Sequence, residues 1–416
     1  MRMKPIPIHK IWMFQLLALV LAVLVAAWNP VQAEQPAAEP ETESQSEPTQ
    51  LLPLKQTGET EELVGVWVPY LSLDLEEKTE EAFCSHFDQI VEEAAALGIN
   101  ALFVHVRPFG DALYASAYYP WSHILTGEQG KDPGYDPLAY MIQKTHEAGL
   151  QFHAWINPLR ISLGSTPASF SPDNPYIAWQ ADNADYFLRC ADGIYYDPGY
   201  SKVREYITAG VEEIVEHYDV DGIHFDDYFY PADEPNADDA SYTLYCDSVE
   251  EGTTPMSRED WRKSNINTLV SQVYAAVKHT NADVVFGISP TGVVSGNEPL
   301  SADVAAWCAV EGYVDYICPQ LYFSTEDSAP VTFSQALEEW LALPRAENVK
   351  FYIGLAAYKA GSDVDNGAWQ NQNDILAREI EQGRQAGANG FIFYAWDQVV
   401  SQQASEEIDH ALAVLA

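Results

Sequence analysis

The chain has 416 residues, with 62 acidic against 21 basic side chains and a formal net charge of −41. That balance argues against any role that needs a phosphate backbone, so no nucleic-acid partner is expected. Five cysteines (Cys84, Cys190, Cys246, Cys308 and Cys318), odd in number and without pair spacing, indicate neither a disulfide framework nor a zinc knuckle.

In chain order, Arg2, Lys4 and Lys10 precede an apolar run from Ile11 to Trp28, and Val31-Gln32-Ala33 offers a small-x-small cleavage site. Residues 1–33 are therefore expected to be a signal peptide, with an uncleaved membrane anchor as the alternative because the apolar run is long. Either way the bulk of the chain is expected outside the cytoplasm, secreted or attached to the envelope, touching membrane only through this segment. No cysteine near the site supports lipid attachment. Residues 34–62, rich in Glu, Pro, Gln, Ser and Thr, read as a disordered acidic linker. The domain proper is expected over 63–416.

From Val64 onward short apolar strands alternate with amphipathic helical patterns. Strands are predicted near 64–69, 100–107, 150–157, 221–226, 283–289, 314–322, 350–356 and 389–396, with helices from Glu80 to Leu97, Pro137 to Ala148, Val203 to Tyr218, Trp261 to Lys278 and Asn373 to Ala386. Such alternation predicts an α/β fold, a (β/α)8 TIM barrel. Helix-to-strand joints are tight and glycine-marked at Gly98, Gly149 and Gly387, each a plausible helix C-cap. Strand-to-helix joints are long after strands 2, 3 and 4, covering about 108–133, 158–200 and 227–258, and in a barrel those loops share the catalytic rim.

Strand parity sorts the side chains. It sends Phe103, His105 and Arg107, then His153, Trp155 and Asn157, then Gly222, His224 and Asp226 toward the axis, and puts Tyr316, Cys318, Gln320 and Tyr322 on one face. Arg107, Asn157 and Asp226 are the last inward residues of their strands, so Asp226 and Arg107 are expected to approach each other at the rim. An acidic group among Arg, Asn, Tyr and Trp suits carbohydrate hydrolysis, where carboxyls move protons and aromatic faces carry sugar rings. Trp67, Trp121, Trp155, Tyr228, Tyr230, Tyr322, Tyr394 and Trp396 all fall at or just past strand ends. Asp227 has the opposite parity and either swings in or caps the loop; Asp111 and Asp397 are weaker candidates for a second carboxyl. His105, His153 and His224 sit one layer below. The first strand, Gly65 to Pro69, has no His-x-His pair, so hydrogen-bonded interior histidines are expected and neither a metal nor a cofactor.

These stretches together resemble the glycosyl hydrolase-like 10 family of exported bacterial proteins, over nearly everything from Gly65 to the C-terminus. The carriers are Gly65-Val66-Trp67-Val68, Phe103-Val104-His105-Val106-Arg107-Pro108 with Asp111 and Tyr114, Tyr119-Pro120-Trp121-Ser122, Gly134-Tyr135-Asp136-Pro137-Leu138, His153-Ala154-Trp155-Ile156-Asn157-Pro158, Gly222 to Tyr228, and Pro319-Gln320-Leu321-Tyr322. The resemblance implies a glycoside hydrolase barrel acting on cell-envelope glycan, either peptidoglycan strands or partly deacetylated amino-sugar polymer, and it carries catalysis onto Asp226 and Asp227. Substrate contacts are expected from Arg107, Asp111, Trp155, Asn157, Tyr228, Gln320, Tyr322, Trp396 and Asp397. Better-known barrel glycosidases add a carboxylate on strand six or seven, whereas here those strands end in Gln320 and in Ala356-Ala357-Tyr358. The second catalytic carboxyl is thus left among Asp227, Asp111 and Asp397. A catalytically inactive barrel that binds wall polysaccharide and a metal-dependent deacetylase are the alternatives.

Overall fold

The strands of the computed structural model are numbered in chain order: β1 Leu63–Val68, β2 Ala101–Arg107, β3 Gln151–Ile156, β4 Arg160–Leu163, β5 Phe187–Arg189, β6 Gly193–Tyr196, β7 Gly222–Phe225, β8 Val285–Ile288, β9 Tyr316–Ile317, β10 Lys350–Leu355 and β11 Gly390–Phe393. Residues 62–416 are described, apart from 165, 182–185, 232–233 and 326–330; the expected leader at 1–33 and all but the last residue of the expected linker at 34–62 lie outside the described residues. Eight parallel strands close a barrel in the order β1-β2-β3-β7-β8-β9-β10-β11. The outer helices are α1 Glu80–Ala96, α2 Pro137–Glu147, α3 Ser201–His217, α4 Arg258–Thr280, α5 Val304–Ala309, α6 Phe333–Leu341, α7 Ile375–Gln385 and α8 Ser405–Leu415. The fold is therefore the expected (β/α)8 barrel. No helix among the described residues is long and apolar enough to cross a membrane.

Local chemistry accounts for the boundaries. Thr79, Asp136, Ser257 and Thr332 cap α1, α2, α4 and α6 with side-chain oxygens that accept early backbone N–H groups. Gly98, Gly149 and Gly387 close α1, α2 and α7 at φ of 76°, 77° and 79°; nothing lies within 4 Å of a Cβ placed there, so the left-handed backbone itself requires glycine. The sixth barrel strand is far shorter than its predicted span of 314–322. Pro319 has no N–H to donate, and pairing resumes only as isolated bridges from Gln320 to Thr291 and Gly354.

The barrel interior is filled by rings set opposite glycines. Trp67, Phe103, Trp155, Tyr316 and Tyr352 pack together along the axis. A Cβ on Gly222 would lie 2.2 Å from Nδ1 of His153, and one on Gly287 2.2 Å from the Tyr316 ring, so missing side chains on β7 and β8 make room for large ones on β3 and β9. The aliphatic side chains of alternate parity face the helices and form the larger core.

The long rim excursions carry structure of their own, the first a short helix at His123–Thr126. After β3, β4, β6 and β5 pair as a small antiparallel sheet; after β7 comes a helix at Asp239–Ser248. That helix is pinned from below by Asp238, which accepts hydrogen bonds from Arg258 at 2.9 Å and Arg262 at 2.5 Å, and by Ser241, whose hydroxyl donates to Asp197 at 2.6 Å.

Candidate active site

The C-terminal mouth of the barrel holds a cavity of about 200 Å³. Trp67 and Trp155 form its floor from β1 and β3, Asp226, Asp227 and Tyr228 follow β7, and Ser289, Gln320, Tyr322, Tyr358 and Tyr394 complete the wall. Asp226 and Asp227 are the carboxylates of this lining. Tyr322 and Tyr394 stack with centroids 5.7 Å apart.

Asp226 is 3% exposed, as its inward parity requires. Its Oδ2 accepts a hydrogen bond from the indole N–H of Trp155 at 2.9 Å, and its Oδ1 a long one, 3.4 Å, from the backbone N–H of Tyr228. Burial pushes this carboxyl up to about 7; the Arg160 guanidinium opposes the rise and neighbouring Asp227 adds to it. Asp227 is also raised by burial, against which the side chain of Gln320 and then Arg160 favour its charged form. The strand ends at Phe225, so backbone alternation has lapsed by Asp227, and residues of opposite parity reach one cavity.

Other expected site residues lie elsewhere. Arg107 does not meet Asp226. Register slips between His105 and Arg107, so Arg107 stands opposite the outward-facing Ile156. There it is 1% exposed, donates to the carbonyls of Phe109 at 3.2 Å and Pro158 at 3.1 Å, and lies 4.8 Å from the centre of the Tyr119 ring. Asp111 is fully buried; its Oδ2 pairs with His123 at 2.9 Å and accepts from Gln129 at 2.8 Å, holding the β2–α2 excursion together. Asn157 is buried, with its Oδ1 accepting from the Arg160 backbone N–H at 3.0 Å. Asp397 accepts from the Ser72 hydroxyl at 2.9 Å, Trp396 is buried in the outer core, and Tyr230 lies under Arg262. Trp121 lines a separate cleft with Tyr118 and Asp173. Trp155, Tyr228, Gln320 and Tyr322 do line the cavity.

Sequence reasoning did not place Tyr358, Ser289 or Arg160 among the site residues. Arg160 is brought over the Tyr228 ring, 4.7 Å from its centre, by the loop after β3. Ser289 closes the strand predicted over 283–289 on the inward parity of Gly287, so its place was legible, whereas Tyr358 and Arg160 lie past the predicted barrel strands, where no periodic signal reaches.

The three interior histidines do not converge on a common point; among the described residues no three His, Cys, Asp or Glu side chains group as a metal site. His105 stacks on Trp155 at 3.8 Å and His153 on Phe103 at 4.3 Å. His224 takes the Trp67 indole N–H on Nε2 at 3.0 Å and faces the Tyr316 hydroxyl with Nδ1 at 2.9 Å. Burial keeps all three rings neutral by lowering their pKa values. Asp226 is oriented by an indole, not by a histidine.

A closed parallel barrel thus gathers a carboxylate pair and a ring of aromatic faces in one cavity at its C-terminal mouth. The chain belongs to the glycosyl hydrolase-like 10 family, whose model matches residues 62–371. It is 37% identical over 340 residues to glycosyl hydrolase YngK of Bacillus subtilis, covering 77% of this chain and 63% of that one, so it spans less than two thirds of that relative's length. It is 33% identical over 319 residues to glycosyl hydrolase DigH of Escherichia coli K12, covering 71% of each. Among solved structures, the glycoside hydrolase domain of PgaB (BpsB) from Bordetella bronchiseptica superposes with a TM-score of 0.55 at 14% identity over 85% of this chain and 99% of that one. α-L-fucosidase isoenzyme 2 from Paenibacillus thiaminolyticus superposes with a TM-score of 0.54 at 14% identity over 85% of this chain and 49% of that one. These two likenesses concern the barrel fold.

Proposed function

We propose that the protein is an exported glycoside hydrolase that cuts a cell-envelope glycan, peptidoglycan strands or a partly deacetylated amino-sugar polymer. The observation that carries the reading is the pairing of Asp226 and Asp227 in one aromatic cavity, with Asp226 held up to about 7 by burial. A carboxyl near neutrality retains a proton to give to a departing glycosidic oxygen and takes it back from water afterwards. Asp226 is assigned that part. Asp227, which Gln320 favours as the anion, is the carboxylate that faces the developing positive charge or activates the second reactant. Trp67, Trp155, Tyr322 and Tyr394 present apolar faces for sugar rings. Export rests on the basic residues, apolar run and Ala33 site of the leader.

The test is release of new reducing ends from purified peptidoglycan and from partly deacetylated poly-glucosamine by the wild type, D226N and D227N, with and without chelator. Release by the wild type, insensitive to chelator and lost in both variants, is the expected result. Binding of glycan without release would instead indicate an inactive carbohydrate-binding barrel. Loss on chelation, with acetate as the product, would indicate a metal-dependent deacetylase.

A further inference from the structure

The cavity presents a pair of carboxylates and, among its lining residues, no cation. The countercharge lies one layer behind. Arg160, at the start of β4, is 4% exposed; its Nε donates to the carbonyl of Pro108 at 3.1 Å, and its backbone N–H is held by Asn157. Its guanidinium lies 5.1 Å from the centre of the Phe109 ring and 4.7 Å from that of Tyr228. It makes no ion pair among the described residues, so its charge is spent on no single carboxylate. Tyr228, by contrast, is 47% exposed, so the ring keeps surface open to the cavity while a buried cation lies over it.

We infer that Arg160 is the positioning residue of this site: its guanidinium backs one face of the Tyr228 ring, leaving the other as a sugar-stacking wall, and its charge offsets Asp226 and Asp227 together. The inference rests on the hydrolase reading. An unbacked tyrosine on a loop would sample several rotamers; stacked on a planar, always-charged group it is held ready for a sugar before substrate arrives. Arg160 is also the cation whose field favours the charged forms of both carboxylates. The cavity groups facing that pair from other elements are Trp67 on β1, Trp155 on β3, Ser289 after β8, Gln320 and Tyr322 after β9, Tyr358 after β10 and Tyr394 after β11; none is positively charged.

Two substitutions in the full chain separate the roles. R160Q removes the charge; R160K keeps a cation but loses the planar fork that stacks on the ring. In R160Q both limbs of the pH profile of kcat/KM are expected to move up by roughly one unit, as for carboxyls that lose an opposing charge. In R160K the limbs stay near those of the wild type while KM rises several-fold, and in a Y228A background R160K raises KM no further because the clamp acts only through the ring. Unmoved limbs in R160Q with only a lower melting temperature would reduce Arg160 to a structural role, and additive KM effects of R160K and Y228A would refute the clamp. Should R160Q not fold, the R160K and Y228A cycle decides alone. If the wild type releases no reducing ends, the hydrolase reading fails separately. Carboxyl-labelled aspartate NMR titration of wild type and R160Q then still decides between upward shifts of Asp226 and Asp227, which support the inference, and unchanged ones, which overturn it.

Discussion

Burying Asp226 with one indole N–H and one long amide contact leaves its charged form poorly solvated, and the same shortage that suits it to proton transfer has a stability signature. Its folded value of about 7 exceeds the ordinary 3.8, so between those values the native state holds a proton that the unfolded chain has released. Stability from this group is therefore complete below about pH 4 and is lost as pH rises toward 7. Asp226→Asn should reduce hydrolysis roughly a thousandfold while melting at or above the wild-type temperature at pH 8, with the advantage shrinking toward pH 4. A variant that melts well below the wild type at pH 8 would make Asp226 a structural residue. Arg107 should behave oppositely. Buried and donating to the carbonyls of Phe109 and Pro158, it leaves both unsatisfied when removed. Arg107→Ala is expected to cost roughly 2–4 kcal/mol in urea denaturation, with the limbs of the pH profile unmoved.

Two elements make the cavity what it is. The irregularity at the end of β2 turns Arg107 out of the barrel and leaves His105 stacked beneath Trp155, so the floor of the site is aromatic and uncharged. β7 supplies the opposite device. Gly222 yields its side-chain space to His153, which stacks on Phe103, and the strand can then run straight to Asp226. Gly222→Ala would force a methyl group against the imidazole, and we expect a loss of roughly 1–3 kcal/mol in urea denaturation. An unaffected midpoint would show that the interior has slack the packing does not suggest.

At the scale of the whole molecule, charge is the dominant feature, and it operates at a buried junction as well as in solvent. Glu379 of α7 is fully buried with neither carboxyl oxygen hydrogen-bonded among the described residues, beside Glu407 of α8, which accepts from the Leu376 N–H at 2.6 Å. Burial and mutual repulsion raise Glu379 well above 4.5, and burial raises Glu407 to about 7. Both raised groups place extra stability below pH 4.5 that is lost as pH rises toward their folded values, about 7 for Glu407. Glu379→Gln should therefore raise the melting temperature at pH 8 and change it little at pH 5; equal shifts at both would exclude titration as the cause. The net charge of −41 also bears on substrate choice. Asp226 and Asp227 line the cavity, whereas Asp111 is buried in its loop. A glucosaminium should be favoured over its acetylated form in kcat/KM. Where the general field supplies the attraction, the preference fades with salt, because screening acts over about 8 Å at physiological strength; a direct buried contact persists. Equal or better turnover of the acetylated oligosaccharide at low salt would refute the preference.

The barrel, its strand positions and the inward direction of Trp155 and Asp226 were legible from the sequence because alternation within a strand and glycine at helix ends are local rules, written residue by residue. The small sheet of β4, β5 and β6 was not marked, since short segments inside a long excursion carry too few periods to register; the helices α5, α6 and α8 were not singled out either. The pairing of Asp226 with Arg107 failed for a related reason: a slip of register between two strands depends on both partners and leaves no trace in either alone. Tertiary structure alone decided that Asp227 shares the cavity while Asp111 and Asp397 do not, and that Arg160 backs Tyr228, because those residues lie beyond strand ends, where loops folding over the mouth set direction.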